Sequence, residues 1–252
     1  MTDRRLMLLR NWIRAFLVPW PFAGVFGLPR YLRQWREYSS AMRSNAPRVA
    51  DSFPCLSDWT SGTPFDPHYF YQGAWLARRI AAHRPRRHVD VGSSVLTLSV
   101  LSATTDVLHL DYRPLQAELP GLRCLGGDIH DLPLAAASVD SLSCLHVIEH
   151  IGLGRYGDPI DPEGARKAAV ELLRVLAPGG RLYMSAPVGR ERTCFNAHRV
   201  FAAATLLAMF APLRLEGFAL VDDAGRYRDP ATMDSAAGLE YGCGMFEFSK
   251  SV

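Results

Sequence analysis

The chain has 252 residues, 48% of them hydrophobic, which is enough for one sizeable domain with a full core and an appended segment. Its net charge of +3 is unevenly spread: Met1 to Arg43 carries eight arginines against Asp3 and Glu37, a local balance of +6, so the remainder is slightly acidic. A dedicated nucleic-acid binder, with basic charge beside its reactive centre, is thereby excluded. Five cysteines without a CxxC pair favour a reduced, cytoplasmic setting over a disulfide scaffold.

In chain order, Leu6-Met-Leu-Leu9, Trp12, Ile13, Phe16 and Trp20 alternate with Arg4, Arg5, Arg10 and Arg14 at helical spacing. The apolar run Phe16 to Leu28 is broken by Pro19, Pro21 and Gly24 and falls short of the ~20 residues that span a bilayer. Arg10 and Arg14 interrupt any signal-peptide core. An arginine-rich amphipathic helix with Trp and Phe on one side suits either of two places. It can pack on protein, the reading preferred here, or lie in a membrane interface, giving a peripheral contact through residues 1–38. Ser39 to Pro67 reads as an irregular connector. The division expected is therefore 1–67 as extension and connector, and 68–252 as the main domain.

The main domain alternates strands and helices. His68 to His83 reads as a helix, His88 to Val91 as strand one, Val107 to Leu110 as strand two and Leu122 to Leu125 as strand three. Val139 to Leu145 is strand four, followed by a helix from Asp161-Pro162-Glu163 to about Leu176, with Asp161 as N-cap. Arg181 to Ala186 is strand five, Val200 to Phe210 a helix, and Leu213 to Val221 and Gly244 to Ser249 close the chain. This pattern predicts an α/β, Rossmann-like, doubly wound and mostly parallel sheet of seven strands behind an N-terminal helical extension. Asp90-Val-Gly92, Asp111, Gly127-Asp128 and His146 each follow an apolar run, so they fall along the carboxyl edge, where such sheets bind ligands. The sequence has no lysine-bearing phosphate loop there. Carboxylates and free backbone suit a ligand with hydroxyls, an amino group and a positive centre.

Asp-x-Gly after strand one, the acid after strand two, Gly-Asp with Leu132-Pro133 after strand three, and Leu176-x-Pro-Gly-Gly180 before strand five resemble the class I S-adenosylmethionine-dependent methyltransferases. The resemblance covers about Arg87 to Val188. The longer string His146-Val-Ile-Glu-His-Ile-Gly-Leu-Gly-Arg-Tyr-Gly-Asp-Pro-Ile-Asp161, with Phe195-Asn-Ala-His198 and Tyr241-Gly-Cys-Gly244, also resembles the uncharacterised methyltransferase-like domain of unknown function 268 (DUF268). That second family names no substrate.

The resemblance implies S-adenosyl-L-methionine as cofactor and assigns roles at its edge. Gly92 would admit the methionine part, with Asp90 helping to hold its ammonium. Asp111 would accept from the ribose hydroxyls, Asp128 from the adenine amine beside the Ile129 backbone, and Leu145 and His146 would line the sulfonium. The family's Gly-x-Gly-x-Gly is altered, with Ser94 and Leu96 in place of two glycines. Ser93 and Ser94 then either supply hydroxyl contacts or simply cap a helix.

His146, Glu149 and His150 are the candidate catalytic set. At i, i+3 and i+4 they share a helical face. His150, or failing that His146, would take a proton from a substrate hydroxyl. With His198 the same three are also candidate ligands for a divalent metal, better suited to Zn or Mn than Mg; the metal-free reading is preferred. Gly152 to Asp158 reads as a loop over the site, its Arg155 and Tyr156 contacting substrate. Arg190, Arg192, Asn196, His198 and Arg199 form a second polar cluster able to engage an anionic group. The expectation is O-methylation of a small-molecule or glycan-like acceptor. The competing classes are a non-catalytic interaction protein on the same scaffold and a dinucleotide-dependent oxidoreductase. The latter is disfavoured because Gly92-Ser-Ser-Val lacks Gly-x-Gly-x-x-Gly.

Overall fold

A computed structural model describes residues 23–42 and 45–252. The chain divides into two compact units, 1–65 and 66–252. In the first, a 3₁₀ turn (Ala23–Gly27) leads into α1 (Leu28–Met42). Arg30 donates to the Leu56 carbonyl at 3.1 Å and lies over the Trp59 ring at 4.8 Å. The Leu6 to Trp20 pattern, on which the membrane-interface expectation rests, lies outside the described residues. Among the described residues, no helix is long and apolar enough to cross a membrane.

The second unit is built on one sheet. Its strands are β1 (Arg87–Val91), β2 (Asp106–Asp111), β3 (Leu122–Gly126), β4 (Val139–Leu145), β5 (Leu176–Val188), β8 (Leu213–Val221), β9 (Tyr227–Arg228) and β10 (Gly242–Lys250). They run in the order β3-β2-β1-β4-β5-β10-β8-β9. β1 to β5 are parallel, and β10 inserts antiparallel between β5 and β8. The order reverses direction between β1 and β4, so the crevice opens at their carboxyl ends.

Helices cover both faces because both faces are apolar. β4 is buried at every position except Asp140, as a strand sandwiched between helices should be. On one face lies α4 (Gly164–Val175), whose Ala165, Ala168, Ala169, Leu172 and Val175 recur at helical spacing and are all buried. On the other lie α2 (Pro67–His83), burying Trp75, Leu76 and Ile80, and α3 (Val95–Leu101), burying Leu98 and Leu101. The Asp66 carboxylate accepts from the His68 and Tyr69 amides at 2.9 and 3.3 Å, and Pro67 occupies the first turn. That cap fixes where α2 begins, and so where His68 and Tyr69 sit.

Four sequence expectations need correction. The sheet has eight strands, not seven, because the two-residue β9 pairs with Leu220 and Val221 of β8; so short a strand leaves no periodic signal. A separate hairpin of β6 (Arg192–Cys194) and β7 (His198–Val200) stands where the sequence pattern assigns no strand. It takes Val200 from the expected helix, leaving α5 as Ala203–Met209. Finally, Asp161 does not cap α4. Its carboxylate, in the preceding turn, accepts from the Glu163 amide and from the ammonium of Lys167 within α4, and the helix starts at Gly164.

Candidate active site

Two recesses open along the carboxyl edge, and His146 and His150 line both. The first, a recess of about 770 Å³ open to solvent, is walled by Gly92 after β1, Asp111 to Arg113 at the end of β2, Gly127 to His130 after β3, and Tyr156, Asp158 and Pro159 of the covering loop. Gly92 takes φ +72°, and a Cβ there would meet the Val147 side chain at 3.0 Å. Its amide donates to the Leu110 carbonyl at 2.8 Å, so the turn closes tightly without a side chain. Asp111 Oδ1 accepts from the Arg113 amide at 2.7 Å, and Asp128 Oδ1 from the His130 amide at 2.9 Å. Each aspartate is thereby fixed by one oxygen while the other has no protein hydrogen bond.

The covering loop is organised by one carboxylate. Asp158 accepts from the amides of Gly152 (2.8 Å), Gly154 (3.3 Å) and Tyr156 (3.2 Å). Burial pushes its pKa up, but these amides outweigh that and hold it low. Gly152, at φ +78°, packs so closely that a Cβ would lie 2.0 Å from the Asp161 carbonyl oxygen. Tyr156 is thus presented to the first recess, with the Arg113 guanidinium 4.3 Å from its ring centre.

Of the sequence-assigned cofactor residues, the structure brings Gly92, Asp111, Asp128 and Ile129 to the first recess. It does not bring Asp90, Ser93, Ser94 or Leu145 there. Asp90 is wholly buried and fully engaged. Oδ1 accepts from the Ser93 amide (3.0 Å) and from His109 Nδ1 (3.0 Å), while Oδ2 accepts from the hydroxyls of Ser93 and Ser143. Ser93 Oγ in turn accepts from the Leu145 amide at 2.9 Å, stitching β1 to β4 below the opening. Burial raises the Asp90 pKa, but His109, Ser143 and Ser93 outweigh it and the net shift is down. Burial likewise lowers His109, but Asp90 outweighs it and the net shift is up. Asp90 therefore shapes the turn beneath Gly92 rather than presenting a carboxylate to a ligand. Ser94 flanks α3 with no side-chain cap, and Leu96 is 77% exposed on that helix.

The second recess is larger, about 1160 Å³, and gathers distant segments: Asp66 to Tyr69, His146 to Arg155, Ala197 and His198, Asp222 to Gly225, and Tyr241. His146 sits at the end of β4 at φ +54°. That is a left-handed conformation costing a non-glycine residue of order 1–3 kcal/mol and met most often at functional sites. It is held by its amide to the Ser185 carbonyl (2.9 Å) and by Nδ1, which donates to Glu149 Oε1 (2.7 Å). Nε2 lies 3.3 Å from the sulfur of buried Cys243. Burial disfavours the imidazolium, yet Cys243 and Glu149 prevail and set its pKa well above the ordinary value. Glu149 is completely buried, and its Oε2 has no hydrogen-bond partner.

His150 differs. Its Nδ1 lies 2.6 Å from the Ala197 carbonyl, which can only accept, so in the neutral ring Nδ1 carries the proton and Nε2, 3.7 Å from Glu149 Oε1, the lone pair. Burial, with Arg155 and His146, pushes its pKa down and keeps the ring neutral. Burial also takes His68 down to about 4, reinforced by His146, whose ring centre is 5.4 Å away. His198 is lowered by burial and by His150.

The polar cluster read from 190 to 199 is mostly spent on internal contacts. Arg190 pairs with Glu240 at 3.1 Å, Arg192 donates to the Arg190 and Glu240 carbonyls, and Arg199 donates to the Ile151 carbonyl at 2.7 Å. Of that cluster, His198 reaches the recess, together with Arg155 from the covering loop. The expected metal set of His146, Glu149, His150 and His198 is not gathered at one point: Glu149 serves as partner to His146, and His150 turns Nδ1 to the backbone. Sequence reasoning missed Tyr112, Arg113 and Val147 of the first recess. In the second it missed His68, Tyr69, Asp222 and Asp223, and it missed Cys243 behind His146. A signal existed for Val147 and Cys243, inside the His146-Val-Ile-Glu149 and Tyr241-Gly-Cys-Gly244 strings that carried a resemblance without giving either a role.

The strand order and the crevice at its switch point are those of the class I S-adenosylmethionine-dependent methyltransferase fold. Residues 132–237 match the family described as "Caenorhabditis protein of unknown function, DUF268". An uncharacterised 37.1 kDa protein of transposon TN4556 from Streptomyces fradiae is 30% identical over 139 residues, 48% of this chain and 37% of that protein, so the chain spans little more than a third of that relative. Among solved structures, the N-methyltransferase NodS of Bradyrhizobium japonicum bound to S-adenosylhomocysteine is 16% identical, at TM-score 0.51, over 84% of this chain and 97% of that one. A methyltransferase-like protein of Bacillus halodurans is 13% identical, at TM-score 0.52, over 71% and 99%. The 1,6-didemethyltoxoflavin-N1-methyltransferase of Burkholderia thailandensis is 14% identical, at TM-score 0.50, over 90% and 91%. These likenesses establish the fold.

Proposed function

We propose that the chain is an S-adenosylmethionine-dependent methyltransferase acting on an oxygen of a small-molecule or glycan-like acceptor. The observation that carries this reading is the pair of recesses sharing His146 and His150 as a common wall. The first recess fits the cofactor. Gly92 leaves the close approach that a Cβ would fill, and Asp111 and Asp128 each keep an oxygen without a protein hydrogen bond, suited to ribose hydroxyls and an adenine amine. When bound, S-adenosylmethionine supplies an electrophilic methyl group.

The remaining work belongs to the chain's own groups. His150 Nε2 accepts the proton of an acceptor hydroxyl, with Nδ1 anchored to Ala197 so that the ring cannot turn away. His146 is unsuited to that task, since its Nε2 is engaged by the Cys243 sulfur at 3.3 Å. Arg155, His198 and Tyr241 offer polar groups around the second recess suited to a hydroxylated acceptor, while Asp222 and Asp223 line it with both oxygens of each already accepting from the chain. Tyr156, presented on the Asp158-ordered loop, limits water over the first recess. Positioning accounts for most of the acceleration. The altered glycine motif does not argue for a non-catalytic scaffold, because neither Ser94 nor Leu96 lines the first recess.

Calorimetric titration with S-adenosylhomocysteine is the direct test. The wild type should bind. Asp111→Ala should bind roughly ten- to hundred-fold more weakly, the value of hydrogen bonds to a charged acceptor. A folded wild type that binds none ends this reading. Positive binding opens a screen of sugars and glycolipids, with amines as the contrast; amine methylation would refute the oxygen assignment.

A further inference from the structure

His68 enters from the first turn of α2, His146 from the end of β4, and Cys243 from β10. Their donor atoms, one from each residue, all lie within 4.8 Å of one another. We propose that His68, His146 and Cys243 bind a divalent metal of the zinc class, with Glu149 as the residue that orients His146. The assignment goes beyond methyl transfer and does not depend on it.

Three features carry the proposal. In a tetrahedral zinc site, bonds of ~2.3 Å to sulfur and ~2.0 Å to nitrogen place those two ligand atoms about 3.6 Å apart. Cys243 Sγ and His146 Nε2 stand at 3.3 Å, so modest parting admits the ion. Next, a metal-bound histidine almost always gives its other ring N–H to a carboxylate or carbonyl, which fixes the tautomer and aims the lone pair. The Glu149 contact to His146 Nδ1, at 2.7 Å, does this. Finally, Glu149 is fully buried and its Oε2 has no hydrogen-bond partner, a costly state for a carboxylate in a dry interior. A dication bound to one thiolate and two neutral imidazoles leaves a net positive charge that this carboxylate balances.

The donor chemistry selects the metal. One thiolate with two imidazoles is a borderline-soft set that suits zinc and disfavours magnesium or calcium. Binding releases to solvent the proton held between His146 Nε2 and Cys243 Sγ, as the nitrogen must coordinate through its lone pair and the sulfur as thiolate. Three protein ligands leave a fourth position, as catalytic zinc sites do. Because His68 and His146 line the second recess, that position is filled by water or by a heteroatom of the occupant.

Cobalt(II) reads the site directly. Full-length wild type, stripped with chelator and titrated with Co²⁺, should take up one equivalent per chain. It should show both a thiolate-to-cobalt charge-transfer band and the intense visible bands of a four-coordinate ion. Cys243→Ser should lose the charge-transfer band, and His68→Ala should lose the four-coordinate spectrum. Glu149→Gln should weaken binding about 10- to 100-fold. His198→Ala and His150→Ala should keep the wild-type spectrum. Zinc should also protect the Cys243 peptide from alkylation, a readout that survives if a variant fails to fold. The proposal is overturned by a folded wild type that takes up neither Co²⁺ nor Zn²⁺, by an unchanged spectrum in Cys243→Ser, or by Cys243 alkylation that proceeds at the same measurable rate with and without zinc. Calorimetry with S-adenosylhomocysteine on the same preparations separates failure of this site from failure of the cofactor reading.

Discussion

The two recesses differ in how they are made. The first is lined by residues 91–159, taken in order from the ends of four consecutive parallel strands. The second draws on a helix start near 66–69, the turn at 146–155, the hairpin at 197–198, the end of β8 at 222–225, and Tyr241. A parallel sheet writes its crevice into the sequence as a rhythm of apolar run and polar stop. A cavity assembled from one helix cap, a short hairpin and two antiparallel strands leaves no comparable rhythm. The recess proposed for the cofactor is therefore legible, and the recess proposed for the acceptor is not.

The largest expected effect tests whether the second recess does chemistry while the first only binds. His150→Gln can keep the bond to the Ala197 carbonyl but has no proton-accepting nitrogen. Its kcat should fall about 10²- to 10⁴-fold, the usual contribution of a general base, while calorimetric affinity for S-adenosylhomocysteine stays near wild type. The His150 pKa is lowered, first by burial, so the acid limb of the wild-type rate profile should lie below the ordinary imidazole value of ~6.5. Activity rises with pH through that limb, and the limb should vanish in the variant. An equal loss of cofactor affinity would show that the recesses do not divide the work.

The next effect concerns stability under the first recess. Asp90 and His109 form a pair with 0% and 1% exposure. Removing one partner of such a pair costs about 3–5 kcal/mol, so Asp90→Ala should lower chemical-denaturation stability by that amount. The pH dependence has a definite sign. Asp90, depressed, contributes above its unfolded value of ~3.9 and loses its contribution as pH falls through the folded pKa. His109, raised, contributes fully below ~6.5 and loses its contribution as pH rises through its folded pKa. The gap between wild type and variant should therefore be widest between about pH 4 and 6.5. A gap that does not change with pH would remove the ion pair as its cause.

Asp90 also shows where sequence reading stops. The sheet, its parallel half and the stations at Gly92, Asp111 and Asp128 were legible because each depends on a strand ending at a fixed spacing. The role of Asp90 was not. The same acid, one pleat away from Gly92, points into the layer beneath the crevice, where His109, Ser93 and Ser143 close over it. His146 and His150 were legible as a pair but not as opposites. What separates them is a carboxylate on one Nδ1 and a carbonyl on the other, and the hairpin supplying that carbonyl left no trace. The Arg190 and Arg192 cluster misled for the converse reason, since Glu240, about fifty residues away, neutralises it.

The smallest effect is the most discriminating for the altered glycine motif. If Ser94 and Leu96 blocked the cofactor, restoring glycine at both positions should tighten binding. The structure argues otherwise. Ser94 has φ −60°, an ordinary value for a residue with a side chain, and Leu96 turns outward on the first turn of α3. The one position whose backbone needs glycine, Gly92, still has it. The double variant Ser94→Gly, Leu96→Gly should leave S-adenosylhomocysteine affinity within about twofold. It should lose about 1 kcal/mol of stability, because glycine in a helix gives up more backbone entropy on folding. A tenfold gain in affinity would mean that the loop after β1 constrains the first recess in a way its side chains do not reveal. The boundary between what the two recesses share with the fold and what they own would then have to be redrawn at Ser93.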